Sequence, residues 1–477
     1  MKKNSKQLLH FITAFVWVVL FFPFMGNSQN LQKDIALGKQ YSQYVETTIG
    51  VYENKELTAY IKAVGDKLTE QMDKPLFKYK YTILATPEPN SFSIPGGHLY
   101  ITTGMFPFLE SEDELACIMA HEIIHANNRH VIKSNRRGIL PGILQIPGAV
   151  IGAVVDESVG NALQSPFQKL GMLTHASYSR KQETEADVEG IEIAAKAGYD
   201  PNALKSILSR IGRYGEIVTG EEEQKDRFAS HPLTDDRVEK INKIEPKLVK
   251  GTLSYLADDF LALFDGALAG NDPMKGVIQD SIYFNPKEGF KLQFPGKWES
   301  AFMANMIAAG DTAQLMRISF EEDERDPTAA AEEYLENLNP YFKSSVKGSE
   351  PINIRDKKGH IIAFKQTYQD KTYYGSRTWV RQGDLLFNFL AISDVEDQSK
   401  MENIVYSLAE MTAADEKQIK VPTLRLLELD NDESAEDLVK RTDSEFDEEI
   451  IRLINEKSEG DSFEAGERVK LVIGEQL

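Results

Sequence analysis

The feature that most constrains this chain is His121-Glu122-Ile123-Ile124-His125, an H-E-x-x-H pattern inside an apolar stretch. Two imidazoles four residues apart leave an α-helix from the same face, so both reach one ion only if this stretch is helical. The neighbouring residues supply that helix. Leu115, Ile118 and Met119 recur at helical spacing, and Ser111 with Glu114 three residues later predicts a capping box. Glu122, one residue past the first histidine, can meet a water at such an ion. Zinc is the expected metal: it lowers the pKa of bound water to about 7, and a carboxylate base completes the activation.

Catalytic zinc usually takes three protein ligands and keeps one position open. Candidates for the third ligand are His98, His130, His175, Glu183, Glu185, Asp187 and His231. His130 is expected at the helix end in solvent, and His98 on a strand surface. Spacing alone does not choose among the others.

Around the motif, Leu57, Tyr60, Ile61, Val64 and Leu68 predict an amphipathic helix over Glu56 to Met72. Phe77, Tyr79, Tyr81 and Ile83 alternate with polar residues, as a half-buried strand does. A turn at Ile94-Pro95-Gly96-Gly97 leads into a second strand, His98 to Thr103. Gly138 to Val155 is apolar but broken by Pro141 and Pro147, which argues against a membrane helix and for a lid or membrane-grazing loop. Helical patterns resume at Arg180–Ala197 and Asn202–Tyr214.

Asp265 to Gly276 reads as a boundary. Beyond it, alternating stretches such as Met316-Arg317-Ile318-Ser319-Phe320, and a turn at Gln382-Gly383-Asp384, predict a small α+β unit with helices at Thr328–Leu338 and Asp397–Leu408. The last stretch predicts strand (Leu424–Leu429), helices (Ser434–Lys440, Asp447–Asn455) and strand (Arg468–Ile473). The expected class is α+β: a mainly helical domain with a small β-sheet, then two smaller α+β domains. The expected divisions are 1–28, 29–265, 277–412 and 421–477.

Residues 1–28 read as a secretory signal peptide: Lys2, Lys3 and Lys6, an apolar run from Leu8 to Met25, then Gly26-Asn27-Ser28. Export to the periplasm, with membrane association left open, follows as an expectation. A formal net charge of −20 argues against nucleic acid, because phosphate binding needs a basic face. Cys117 is the one cysteine, so no intrachain disulfide forms.

Several blocks carry a family resemblance. Beside His121 to His125 stand Asn90 to Gly97, Tyr178-Ser179-Arg180, Glu183 to Asp187 with Gly190, Ala197 to Pro201, and Ser230-His231-Pro232 through Arg237. Together they resemble the gluzincin peptidase family of the CAAX prenyl endopeptidase and the periplasmic beta-barrel-assembly-enhancing protease, over about residues 31–250. The resemblance implies one Zn2+ held by His121, His125 and Glu183, with Glu122 as base. It implies Asp187 beside the ligands, where a carboxylate can accept a histidine N–H, and His231 near the metal, as oxyanion partner or as an inhibitory fourth ligand. Arg237 is expected to anchor the His231 loop. In this family the strand after Pro-Gly-Gly is an edge, so Leu99, Tyr100, Ile101, Thr102 and Thr103 are expected to bind an extended or unfolded protein substrate by β-addition. The C-terminal unit resembles a LysM-like βααβ module, which points to peptidoglycan or protein docking. The implied function is an exported zinc endopeptidase in envelope protein quality control. The rival is a non-proteolytic chaperone or assembly factor with a structural zinc.

Overall fold

The structure, a computed structural model, describes residues 31–135, 178–219, 235–244, 257–303, 305–311, 313–368 and 371–477. The expected signal peptide, the Gly138–Val155 segment, His175 and His231 lie outside the described residues. The molecule is mixed α+β.

Its first region packs helices against a small sheet. One helix covers residues 31–49 and the next is Lys55–Thr69. Asn54 starts the second by accepting from Leu57 N at 3.0 Å, and Leu57, Ile61, Val64 and Leu68 are buried as their period predicts. Strands β1 (Lys80–Leu84), β2 (Ser91–Ile94) and β3 (His98–Thr102) follow. Between β2 and β3, Gly96 and Gly97 take φ of +85° and +84°, a region that side-chain-bearing residues rarely enter.

The sheet order overturns one expectation. β3 is central, parallel to β1 on one side and antiparallel to β2 on the other. Leu99, Tyr100, Ile101 and Thr102 are buried with both strand edges already paired, and Thr103 opens a 3-10 helix, Thr103–Phe108. This segment therefore cannot take up a further strand. Among the described residues, β2 and β1 are the edges. An apolar strand reads alike in sequence whether it is central or lateral, because side-chain alternation does not say how many of its two edges are paired.

The middle region holds two sheets. The smaller has the order β14-β6-β5-β4, with β4 Val277–Gln279, β5 Ile282–Asn285, β6 Phe290–Gln293 and β14 Ala409–Glu410. The larger is antiparallel in the order β10-β11-β12-β13-β9-β8-β7. Its strands are β7 Glu299–Met303, β8 Met306–Gly310, β9 Gln314–Glu322, β10 Val346–Ile354, β11 Lys357–Tyr368, β12 Lys371–Gln382 and β13 Leu385–Ser393. Alternation sorts its faces: Met316, Ile318 and Phe320 join Phe387 and Phe389 in one core. On the other face the helix Pro327–Asn337 sets Ala330 and Ala331 against Ile362, Phe364 and Trp379.

The last region is strand-helix-helix-strand, as expected: β15 Lys420–Glu428, Ala435–Thr442, Glu448–Ile454 and β16 Arg468–Gln476. It folds back onto the first region. Leu424, Ile450, Ile454 and Val472 share a core with Leu115 and Ile118. The expected boundary segment joins the two, since Gly266 N–H donates to Leu424 O at 2.8 Å and Ala269 N–H to Pro422 O at 2.7 Å. The buried Lys470 ammonium reaches across to the carbonyls of Pro107 and Leu109, each at 3.0 Å, and to the Glu110 carboxylate.

Candidate metal centre

The site is built on two helices that cross closely. The first is Glu112–Asn127, started by Ser111 Oγ, which accepts from Glu114 N at 3.2 Å. The predicted capping box is only half made. The Glu114 carboxylate accepts from Glu110 N at 2.8 Å and from Arg210 rather than from Ser111 N. Glu112 accepts from Tyr199 Oη at 2.8 Å, and Asp113 from Asp200 N at 3.0 Å. These bonds hold the helix in one register while its acidic first turn matches the positive end of the helix dipole.

The second helix, Arg180–Lys196, opens with a complete capping box between Ser179 and Gln182. Gly190 allows the crossing: a Cβ there would lie 3.1 Å from His121 N and 3.2 Å from His121 Cα.

That crossing brings Glu183 to the two histidines. His121 Nε2 and His125 Nε2 lie 3.0 Å apart, and each is 3.6 Å from a Glu183 oxygen. All three side chains are buried. Behind them, His121 Nδ1 is 3.1 Å from Asp187 Oδ1. Arg237, in the helix Asp235–Ile244, forks onto Asp187 with two bonds of 2.7 Å and lies 3.2 Å from Glu183 Oε2. Burial alone would raise the Asp187 carboxyl, but bonds from Arg237 and His121 outweigh it and hold the group well below the usual range. Arg237 thus reaches past its loop to the centre itself.

His130 departs from expectation in a useful way. It is fully buried, with Nδ1 3.1 Å from His125 Nδ1 and Nε2 3.2 Å from Glu185 Oε2. Arg129 takes a φ of +57°, which ends one helix and folds the next residue back onto it. A five-residue offset does not face one side of a helix, so spacing could not reveal this contact. Tyr178 lies against His125, ring centroids 3.9 Å apart. Burial first, then Glu122 and Glu183, keep its hydroxyl protonated far above the ordinary range.

Five of the seven candidates now separate, and His175 and His231 lie outside the described residues. Glu183 joins the histidines, Asp187 stands behind His121, and Glu185 holds His130. His98 is buried rather than on the surface, and burial together with Lys80 pushes its pKa down to about 4.

The donor set fits a zinc ion. With protons on Nδ1, where Asp187 and His130 receive them, both Nε2 lone pairs face each other beside a carboxylate. Three electron-rich atoms so placed repel unless a cation lies among them. Zinc bonds of roughly 2.0–2.2 Å at tetrahedral angles separate donors by about 3.3–3.6 Å, within the 3.0 to 3.6 Å spacings here. Among the described residues, His121, His125 and Glu183 form the group whose donor atoms lie within 4.8 Å of one another.

Comparison with known proteins agrees. Residues 55–245 match the model of peptidase family M48. The beta-barrel assembly-enhancing protease of Escherichia coli strain K12 is 23% identical over 244 residues, 48% of each chain. That of Yersinia pestis is 23% identical over 241 residues, again 48% of each. The mitochondrial metalloendopeptidase OMA1 of Schizosaccharomyces pombe is 28% identical over 195 residues, 40% of this chain and 53% of its own. The chain thus spans about half the length of the curated relatives it matches.

Proposed function

We propose, from the match of residues 55–245 to peptidase family M48 and a donor set that fits zinc, that the protein is an exported metalloendopeptidase that cuts misfolded or stalled envelope proteins. The observation that carries the reading is the convergence of His121, His125 and Glu183, with Asp187 and Arg237 behind them. When bound there, zinc supplies Lewis acidity toward a peptide carbonyl and acidifies the attacking water.

The protein's own groups do the rest. His121 is held by Asp187, and His125 by His130, so each presents Nε2 without reorganising. Glu122, buried at the centre of the same helix, takes the proton of the attacking water and returns it to the leaving amine. Arg237 keeps Asp187 ionised, and so keeps the His121 proton on Nδ1. His231 is assigned to the same centre by its sequence block, as oxyanion partner or as inhibitory ligand. With β3 internal, an extended substrate would add to β2, the sheet edge that packs near the His121 helix.

The Lys-rich, apolar residues 1–28 support export as a signal peptide, and in our reading the chemistry belongs to the first of the units 29–265, 277–412 and 421–477. Among the described residues no helix is long and apolar enough to cross a membrane. The βααβ unit is read as a docking module, and its seat on the first region favours a protein contact over peptidoglycan.

Glu122→Gln tests the reading. It should retain zinc while cleavage of casein falls by roughly 10²–10⁴-fold or more. His121→Ala should lose both. Should the exported function survive both substitutions, the binding-only alternative stands and the peptidase reading falls.

A further inference from the structure

Away from the metal centre, the seven-stranded sheet buries a cation without an anion. Arg377, on β12, is only 7% exposed. Its guanidinium carbon stands 4.3 Å from the Tyr334 ring centroid and 5.7 Å from that of Trp379. Its Nε donates to Asn388 Oδ1 at 3.3 Å, a neutral acceptor. Among the described residues it makes no ion pair. Arg325 nearby is the contrast, held by Asp323 and Glu333.

Burying a charge without a counter-ion is costly, and stacking on aromatic rings offsets only part of that cost. The residual cost persists in a fold only where something else is gained. Here the guanidinium lines a cavity of about 340 Å³ between the sheet and the helix Pro327–Asn337. The register lines up Trp379, Asn388 and Ser319 across β12, β13 and β9 as one row on that wall, an aromatic ring beside two polar groups. Leu386 and Ala330 add apolar surface. A volume in the range of small-ligand pockets, a few placed polar groups and a charged side chain without an ion pair are the features of a binding site.

The charge pattern narrows the ligand. One free guanidinium matches a single carboxylate, which it grips with two parallel bonds. Glu321, and Glu333 with its partner Arg325, also line the cavity, so the acids offset the second guanidinium and leave a dianion such as phosphate less favoured than a single carboxylate. We propose that this cavity binds a monocarboxylate carrying a small apolar group, anchored by Arg377. Two sources share that chemistry: a free organic or amino acid derivative, and the terminal carboxylate of a peptide. The site stands apart from the metal centre and does not depend on the peptidase reading.

The test is calorimetric titration of the full-length protein with acetyl-leucine, acetyl-alanyl-leucine, the amide of that dipeptide, and inorganic phosphate. One or both acids should bind, with the amide and phosphate at least ten-fold weaker. Tighter binding of acetyl-leucine identifies a free acid as the source, and preference for the dipeptide identifies the terminal carboxylate of a peptide. Arg377→Met should abolish binding, whereas Glu122→Gln should leave it unchanged. Without ligand, Arg377→Met should melt at or above the parent temperature, since the buried charge is gone. Arg377→Lys, which keeps the charge but loses the fork, should bind more weakly by ten-fold or more. Equal binding of acid and amide, tighter binding of phosphate, loss of binding in Glu122→Gln, or a lower melting temperature in ligand-free Arg377→Met would overturn the proposal. So would the absence of binding by either acid at 10 mM, a ceiling on the order of weak ligand affinities.

Discussion

The two ends of the helix Glu112–Asn127 handle buried charge in opposite ways. Near its start every buried charge has an internal partner: Glu114 meets Arg210 at 2.8 Å, and Glu110 meets Lys470, which also holds two carbonyls. Toward its end, His121, His125 and Glu183 turn electron-rich atoms toward one another, with their supporting bonds placed behind them. The first arrangement is closed and holds regions together. The second is complete only with a cation. Burial is common to both, so burial alone does not mark function; the unbalanced sign of the charge does.

That contrast predicts which property each substitution moves. Lys470→Ala strands Glu110 in the interface and should cost about 3–5 kcal/mol of stability by denaturant titration, with zinc content of the folded protein unchanged. Restoring neutrality with Lys470→Met and Glu110→Gln together should recover most of the loss. If Lys470→Ala unfolds at the parent midpoint, the closed end is not the clamp described here.

At the open end the readout is metal affinity. Asp187→Asn should weaken zinc binding about 10–100-fold in a chelator competition, roughly 1.4–2.8 kcal/mol, because the His121 proton is no longer held on Nδ1. His130→Ala removes the contact behind His125 and should cost about ten-fold, the lower end of the same range. Unchanged affinity in both variants would mean that the bonds behind the histidines do not orient them.

The smallest effect concerns His98, a buried ring belonging to neither end. Its pKa in the folded state is about 4, against 6.5 when free. Between those values the unfolded chain binds the extra proton, so stability falls as pH falls from about 6.5 to 4. His98→Asn should flatten that part of the curve of denaturation midpoint against pH, and an unaltered slope would remove His98 as a contributor.

Much of the centre was legible in advance. His121 and His125 share a helical face by period alone, and the resemblance carried Glu183 and Asp187, which the structure brings to them. The strand-helix-helix-strand order of the last region was equally readable, since caps and turns are local signals. The errors share one cause. Leu99 to Thr103 is expected at a sheet edge, His98 at a surface and His130 in solvent, and in each case packing or pairing that no periodic spacing marks decides otherwise.

The sequence by itself therefore determined the elements and the chemical type of the centre, because helix period, capping and the H-E-x-x-H spacing act over a few residues. Only the tertiary structure decided that β3 is internal, that the last region closes on the first, and that Arg377 is buried with no ion pair among the described residues. These facts depend on burial and pairing between distant segments. Such interactions exist only once folding has excluded water from between them.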